Sequence, residues 1–432
     1  MKTIYTMSSF FRTMAFGTGT AGCGAEPLRA VRTDGDLTAL ERRAELGDTD
    51  ACMELYRMYG TGDGVAKDQL AALKYLKVCA AAGDAAAMRT AGRMQLMGKG
   101  NVPKDREQAE AWLAQAAALG DGEAMYLLGR MHADGLCSAE PDPKQAAAWF
   151  ARAAAAGNAE GQFAMAEAYL MFKGRRRDPA AAVRMYRAAA DQGHAEAAYR
   201  AAMHLAYGEG VPCDPEAAVG YFEAACEGGF IQAMVDYADL CLEGRSVPRD
   251  EEKAVRWLEA AADRYDGSAQ YELACMHASG TCFERDDAEA ARRLEEASEL
   301  GEPNAQYALA CFRYEGRGGA KDAKEARMWF ELAADQGHPA ARAFLGMMLV
   351  SGRDTAQDIG AGMELLHAAA DGQGYYEAQY YLGRIYSEGK HAARDLRKAR
   401  GYLAAAADQG DADAAALLDA IKAERTFGRS GR

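Results

Sequence analysis

The sequence predicts an all-α, right-handed superhelical solenoid of about ten helix-turn-helix repeats, with half-repeats capping its ends. An aspartate recurs every 36 or 37 residues along the 432-residue chain, and a small residue precedes each aspartate by 17 or 18 positions. A glycine also recurs near each boundary between repeats. The aspartates are Asp68, Asp105, Asp142, Asp178, Asp214, Asp250, Asp286, Asp322, Asp358 and Asp395.

The first helix of each repeat, helix A, begins near the small residue and ends at a glycine. In "EAMYLLGRMHADG", which starts at Glu123, apolar residues fall three and four positions apart, which is the period of an α-helix. Glycine readily adopts the left-handed conformation that closes a helix. We expect this ending at Gly62, Gly98, Gly135, Gly208, Gly244, Gly280, Gly316, Gly352 and Gly389.

The second helix, helix B, is predicted to begin at the recurring aspartate. An aspartate side chain accepts a hydrogen bond from an unpaired N–H group of the first helical turn. Pro143, Pro179 and Pro215 follow three of these aspartates, and proline suits the first position of a helix. The alternative is a row of catalytic or metal-binding carboxylates. Ten acids spaced one repeat apart do not gather around one ion, so capping is favoured.

Helix B also carries a bulky residue seven positions after the aspartate, which we expect to fill the core. Arg293 interrupts this series in the seventh repeat, where Leu294 is expected to substitute. Tyr265 also replaces the glycine at the junction that enters that repeat, so we expect the least regular stacking there. The bulky residues are Tyr75, Trp112, Trp149, Met185, Tyr221, Trp257, Trp329, Leu365 and Tyr402.

These features together resemble the Sel1-like repeat, a relative of the tetratricopeptide repeat, from about residue 34 to about residue 423. The resemblance implies an adaptor or scaffold that binds a protein or peptide, mainly on a concave surface lined by A helices. The residues that carry it best are Leu128-Gly129, Leu345-Gly346, Leu382-Gly383, "KAVRWLEAAAD" from Lys253 and "EARMWFELAADQGH" from Glu325.

The repeats leave short segments at both ends of the chain. Arg12 and several hydroxyl residues interrupt what would be the apolar core of an export signal, so we expect a cytoplasmic protein. An exported or periplasmic scaffold stays open as an alternative. The predicted organisation is a flexible leader over 1–33, a solenoid over 34–425 (lone helix 34–46, ten repeats over 47–410, terminal helix 411–425) and a flexible tail over 426–432.

Composition narrows the classes of function. The net charge of −14 repels phosphate backbones, so we expect no nucleic-acid partner. No stretch approaches the roughly 20 apolar residues of a membrane span. The ten cysteines follow no regular pairing and form no Cys-x-x-Cys motif, which favours free thiols. We therefore expect no cofactor and no metal.

An enzymatic role has little support in the sequence. No metalloprotease helix, phosphate-binding loop or nucleophile elbow is present. His132 and His277 take a position where other repeats carry tyrosine, so we interpret them as packing residues. One cysteine-rich branch of the resembled family is linked to β-lactam binding or hydrolysis. The recurrent cysteine pairs of that branch are missing, so a β-lactam-interacting hydrolase is only the alternative function.

By analogy with tetratricopeptide geometry, we expect the residues one before and two, six, nine and ten after the starting small residue of helix A to face a partner. Two of these positions form series of candidate binding residues. The second residue after the starting small residue is aromatic in six repeats, and these rings either pack between repeats or contact a partner. The eighth repeat adds Tyr314 to its partner-facing surface. The aromatic candidates are Tyr126, Phe163, Tyr199, Tyr271, Tyr307 and Tyr380.

The sixth residue after the small residue is arginine at Arg57, Arg93, Arg130 and Arg384. The first three belong to successive repeats and would form a basic strip in an acidic protein. The strip is either a solvated face or a clamp for an acidic peptide or a chain terminus, because guanidinium groups bind carboxylates in a fork geometry.

Overall fold

The computed structural model describes residues 34–427 except 99, 138–139 and 172–176. These residues form 22 α-helices and no β-strand, as the repeat pattern predicts. The chain divides after Gly161 into two compact units, and the division falls inside one helix. The predicted leader over 1–33 and residues 428–432 of the predicted tail lie outside the described residues.

The first unit contains a lone helix followed by three helix pairs, each pair being one repeat. Helix A of each repeat takes an even number below, and helix B takes the next odd number. The bounds are α1 Asp34–Glu45, α2 Thr49–Thr61, α3 Gln69–Ala81, α4 Ala85–Met97, α5 Arg106–Ala118, α6 Gly122–Ala133 and α7 Pro143–Ala155, after which α8 Ala159–Met171 crosses the division.

The second unit continues the same alternation and ends in a terminal helix. That last helix runs two residues into the segment predicted as a flexible tail. The bounds are α9 Pro179–Ala190, α10 Ala195–Tyr207, α11 Pro215–Glu227, α12 Ile231–Glu243, α13 Glu251–Ala262, α14 Gly267–Ser279, α15 Asp287–Glu299, α16 Pro303–Glu315, α17 Ala323–Asp335, α18 Pro339–Ser351, α19 Ile359–His367, α20 Tyr376–Glu388, α21 Leu396–Asp408 and α22 Ala412–Phe427.

Capping explains why each helix B begins where it does. All ten recurring aspartates occupy the N-cap, and each side chain accepts a backbone N–H of the first turn. At Asp68, for example, Oδ1 accepts the N–H groups of Leu70 and Ala71, each at 2.9 Å. The predicted capping role is confirmed.

Glycines with positive φ close the helices, as predicted. The nine glycines expected at the ends of A helices have φ between 65° and 88°. Tyr265 occupies the junction that lacks a glycine, and it adopts φ 61° with 81% of its surface exposed. The backbone therefore keeps the junction geometry even where a side chain makes it unfavourable.

The deep core of helix B lies one residue later than predicted. The residue eight positions after the aspartate is at most 8% exposed in every repeat, whereas most residues at the predicted position are only half-buried. The prediction was wrong because the buried stripe of helix B includes two adjacent positions. The bulkier of the two side chains is not the more deeply buried one. The buried residues are Leu76, Leu113, Phe150, Tyr186, Phe222, Leu258, Leu294, Phe330, Leu366 and Leu403.

This one-residue difference explains the position of Arg293. Leu294 is the regular core residue of the seventh repeat, and Arg293 takes the half-buried position, where it forms ion pairs with Glu259 and Glu289 at 2.8 and 2.9 Å. Both helices of that repeat have 13 residues, so the helices themselves are regular, and the expected irregular stacking stays a prediction.

An irregular helix lies in the ninth repeat. Sixteen positions separate Asp358 from the junction glycine Gly374, one more than in the other repeats. A π-helical turn over Ala368–Gly372 continues α19 and accommodates the additional residue. Downstream of it, Asp395 caps α21 in the usual way.

Each unit has an apolar interior built from these repeats. In the first unit, one continuous core runs from Leu40 to Ala153. In the second unit, separate clusters follow the chain, and the last of them extends to Ile421. Among the helices described, none has both the length and the apolar character needed to cross a membrane.

Candidate functional site

The candidate aromatic residues lie on A helices, and some of them contact residues at the boundary with the next repeat. Tyr307 of α16 packs against Phe330 of the same repeat and stacks on His338, the N-cap residue of the next one, with centroid distances of 5.8 and 4.7 Å. Tyr199 similarly contacts Phe222 and Phe230, at 6.4 and 5.3 Å. Packing between repeats is therefore an observed role of these rings.

The exposure of the aromatic candidates differs. Phe163 is 3% exposed and Tyr199 is 9% exposed, so these two rings offer a partner little surface. Tyr126, Tyr271, Tyr307 and Tyr380 are half-buried. Binding of a partner at these rings stays a prediction.

Several of these tyrosines use their hydroxyl groups within the chain. The hydroxyl of Tyr199 donates to Oδ2 of Asp236 on the next A helix, at 2.5 Å. The hydroxyl of Tyr314 donates to Oδ2 of Asp354 at 2.9 Å, and its ring meets Phe344 edge-on at 5.4 Å. Both hydroxyls are therefore already engaged across repeat boundaries.

Two arginines of the predicted basic strip pair with acids, Arg93 with an acid of the following repeat and Arg130 with an acid of its own repeat. Arg93 Nη1 lies 3.5 Å from Oε1 of Glu123, which also pairs with Arg89 at 3.1 Å. Arg130 pairs with Asp134 at 3.9 Å. The strip therefore presents less net positive charge than its arginines alone indicate.

The remaining arginines of the series differ from each other in their surroundings. Arg57 is exposed on α2. Arg384 lies in α20 over the rings of Tyr380 and Tyr381, at 5.8 and 6.0 Å, and pairs with Glu388 at 3.3 Å. If all four arginines bound one partner, each would give up different contacts within the chain. The clamp stays a prediction.

The A helices of the second unit carry an acidic patch, which we define as Asp236, Asp239, Glu243 and Glu272. Burial, together with the negative charges of Glu272, Asp236 and Glu243, raises the pKa of Asp239 to about 6. Burial also raises the pKa of Glu272, together with the charge of Glu302. These carboxylates therefore destabilise one another at neutral pH.

A repeat-family profile matches ten consecutive segments of the chain. The matched family is the Sel1 repeat. The chain belongs to the Sel1 repeat family. The segments are residues 49–84, 85–121, 122–158, 159–194, 195–230, 231–266, 267–302, 303–338, 339–373 and 377–411.

Solved structures agree with this assignment. One similar structure is that of c5321, a protective antigen with a Sel1-like repeat fold that is present in uropathogenic Escherichia coli strains. The two structures have a TM-score of 0.73 and 27% sequence identity, and the match covers 89% of this chain and 82% of that chain. A Sel1 repeat protein from Oxalobacter formigenes matches with a TM-score of 0.55 and 26% identity, over 72% of this chain and 90% of that chain. No curated protein matches this chain.

The acidic patch belongs to the sixth and seventh Sel1 repeats. Asp239 takes the position that carries arginine in the first three Sel1 repeats, so a comparison of charges at this position was the signal available in the sequence. Asp236 and Glu272 each lie three residues after the small residue of their repeats. That position was not among those expected to face a partner, and the patch was therefore missed.

A polar network around His367 was also missed, and it surrounds the π-helical turn of the ninth Sel1 repeat. His367 Nδ1 lies 2.9 Å from Oδ2 of Asp371, and its Nε2 lies 3.1 Å from the hydroxyl of Tyr386. The hydroxyl of Tyr402 donates to Oδ1 of Asp371 at 2.9 Å. Asp371 takes the repeat position of Asp191, where Tyr221 makes the corresponding contact at 3.4 Å, so the aspartate that recurs at this position was the signal available in the sequence.

The histidines at the repeat junctions have structural roles. Nδ1 of His194 and Nδ1 of His338 accept the N–H groups of Ala197 and Ala341, at 3.1 and 3.2 Å, and so cap their A helices. His277 stacks on Phe283 with a centroid distance of 4.2 Å, as expected of a packing residue.

Proposed function

We propose that this Sel1 repeat protein is a protein-interaction scaffold whose partner presents a basic segment to the acidic patch. The observation that carries the proposal is the half-buried carboxyl group of Asp239, on which every neighbouring charge that shifts its pKa is negative. A lysine or arginine placed beside it would remove this repulsion. The free energy gained by this ion pair on binding would therefore exceed that of an ordinary exposed ion pair.

Neighbouring tyrosines support a protein or peptide partner at this surface. Tyr271 is half-buried and lies one residue before Glu272 on α14. Burial and, after it, the neighbouring thiol of Cys275 raise the pKa of its hydroxyl group. An aromatic ring beside carboxylates suits the alkyl stem and the charged end of lysine or arginine.

The arginine strip of the first unit supports an acidic partner less well. Arg93 and Arg130 already have carboxylate partners within the chain, so an acidic peptide would have to replace those ion pairs. Replacing one exposed ion pair by another yields little free energy. We therefore place the main recognition surface on the second unit.

Two charge-reversal variants test the proposal against the acidic-peptide alternative. Partners are captured from the source cell with the wild-type chain, with Asp239→Lys/Glu272→Lys and with Arg93→Glu/Arg130→Glu. We expect the first variant to lose the partners that the second retains, and the captured proteins to bind the wild-type chain less well at high salt. Partners lost only with the arginine variant would contradict the proposal.

The proposal includes neither nucleic-acid binding nor catalysis. The net charge of −14 supports the first point, since phosphate groups are repelled by an acidic surface. Scaffolds without catalytic activity are typical of the repeat family, which supports the second. Turnover of a chromogenic β-lactam by the wild-type chain, and its loss in a point variant, would support the hydrolase alternative instead.

We place the protein in the cytoplasm. The cysteines whose structure is described have free thiols, which suits a reducing compartment. The similarity to c5321, itself named a protective antigen, favours an exported scaffold as the second candidate. Mass spectrometry of the mature N-terminus from the source cell distinguishes them, because export through a cleaved signal would shorten the chain.

A further inference from the structure

Three potential metal ligands meet at the boundary between the second and third repeats. They are Glu110 of α5, His132 of the last turn of α6 and Cys137 of the following loop, and each is half-buried. One ligand atom of each lies within 4.8 Å of the other two. Carboxylate oxygen, imidazole nitrogen and thiolate sulfur are all ligands that zinc accepts.

The turn after α6 brings Cys137 next to His132. Gly135 adopts φ 67°, and the N–H group of Leu136 donates to the carbonyl oxygen of Met131 at 2.8 Å. The carbonyl oxygen of His132 accepts the N–H of Asp142, the cap of α7, at 2.9 Å. Both ends of the loop are therefore fixed to α6, and two of the three ligands are held by backbone hydrogen bonds.

Glu110 reaches the same place from the neighbouring repeat. It follows Ala109, which is fully buried. In the other nine repeats, the position of Glu110 carries leucine, alanine, valine, methionine or arginine. A carboxylate at this position is therefore particular to the second repeat and is not required by the repeat fold.

The distances are compatible with one small ion. An ion at the centre of a triangle with 4.8 Å edges lies about 2.8 Å from each corner. Zinc bonds to these ligands are about 2.0–2.3 Å long, so each side chain needs to move by roughly 0.5–0.8 Å. Half-buried side chains make such movements by small rotations of their χ angles.

We propose that Glu110, His132 and Cys137 bind one zinc ion, with a fourth position left for water or for a side chain of a partner. Three protein ligands and one open position are typical of zinc sites that exchange a ligand. On binding, the Cys137 thiol loses its proton to solvent and the sulfur bonds the metal as thiolate. The site would tie the second repeat to the third.

The test uses the full chain without a polyhistidine tag, treated with a chelator and then titrated with Co²⁺. Cobalt replaces zinc in tetrahedral sites, and a bound thiolate gives a charge-transfer band in the near ultraviolet. Zinc is then titrated by calorimetry. We expect one equivalent of zinc to bind, the cobalt band to appear and zinc to displace the cobalt.

Variants assign the site. Cys137→Ser should abolish the charge-transfer band, and Glu110→Gln and His132→Gln should each weaken zinc binding by at least about tenfold. Cys213→Ser, which removes an exposed thiol in another repeat, should leave both measurements unchanged. Circular dichroism of each variant without metal shows whether it has folded, and Glu110→Gln is the variant least expected to disturb folding.

Two results would overturn the proposal. One is a wild-type chain that gives no thiolate band and binds no equivalent of zinc. The other is binding that survives unchanged in folded Cys137→Ser and Glu110→Gln chains, which would place the metal elsewhere.

Discussion

Gly346 and Gly362 approach each other so closely that neither has space for a side chain. A Cβ atom on Gly346 would lie 2.9 Å from the carbonyl oxygen of Gly362, and a Cβ atom on Gly362 would lie 2.7 Å from the carbonyl oxygen of Gly346. The other nine repeats carry alanine at the position of Gly362. The glycine of the ninth repeat therefore reflects a closer contact between α18 and α19.

This contact predicts that restoring the consensus residue will destabilise the protein. Gly362→Ala should cost about 1–3 kcal/mol, because the added methyl group meets backbone atoms that do not rotate away. Gly401→Ala is the matched control, since a Cβ atom there meets nothing within 4 Å and the residue is exposed in a helix. The control should gain up to about 1 kcal/mol from helix propensity. Thermal unfolding followed by circular dichroism measures both, and equal shifts in the two variants would refute the prediction.

A second prediction concerns Tyr265, whose φ of 61° is unfavourable for a residue with a Cβ atom. Tyr265→Gly should stabilise the chain by about 0.5–1 kcal/mol. The substitution relieves the strain of the left-handed conformation, and this gain is partly offset because glycine increases the entropy of the unfolded chain. Tyr265→Ala removes the exposed ring but keeps the Cβ atom, so it should not show this gain. A lower unfolding midpoint for the glycine variant than for the alanine variant would contradict the expectation.

The third prediction tests capping in the seventh repeat. Oδ1 of Asp286 accepts the N–H groups of Ala288 and Glu289, at 2.9 and 3.0 Å. Asp286→Ala should cost about 1 kcal/mol, whereas Asp286→Asn keeps an acceptor oxygen and should change stability by a few tenths. Urea unfolding of the two variants compares them. A loss as large for asparagine as for alanine would indicate that charge, and not the hydrogen bonds, sets the effect.

The fourth prediction is a pH dependence at the acidic patch. The pKa of Asp239 is raised to about 6 in the folded chain and is ordinary when the chain is unfolded. The folded state therefore holds more protons between about pH 4 and 6, and this carboxyl group lowers stability as the pH rises through that range. Asp239→Asn should raise stability at pH 7 by about 1 kcal/mol after allowance for solvent screening, and by progressively less towards pH 4.

Thermal unfolding at several pH values between 4 and 7 measures this difference. The control is Asp63→Asn, in an exposed loop of the first unit. It should show no comparable trend. A stabilisation by Asp239→Asn that is constant across the pH range would show that repulsion among the carboxylates is not its cause.

The repeat architecture was predictable because its signals are local. An aspartate cap acts within three residues, as at Asp68, and a glycine such as Gly62 closes a helix through its own backbone. The depth to which each residue of helix B is buried was harder to predict. Trp329 and Phe330 are both large, and only the packing of helix B shows that Phe330 is fully buried while Trp329 is not.

The candidate site depended on contacts that the repeat pattern does not contain. Arg93 was predicted as part of a basic strip, but Glu123 lies 30 residues away in sequence and neutralises it only once the helices pack. Glu110 and His132 come together for the same reason, from different repeats. The residue at each repeat position can be read from the sequence. The net charge of a surface depends on side chains from several packed repeats.

The π-helical turn over Ala368–Gly372 confines one added residue to a single turn of one helix, and Asp395 still caps the next helix in register. A one-codon insertion in such a gene thus alters the protein locally and spares every repeat that follows. Arrays of this kind can acquire irregular turns one at a time, because each repeat contacts mainly its neighbours and the following repeats keep their register.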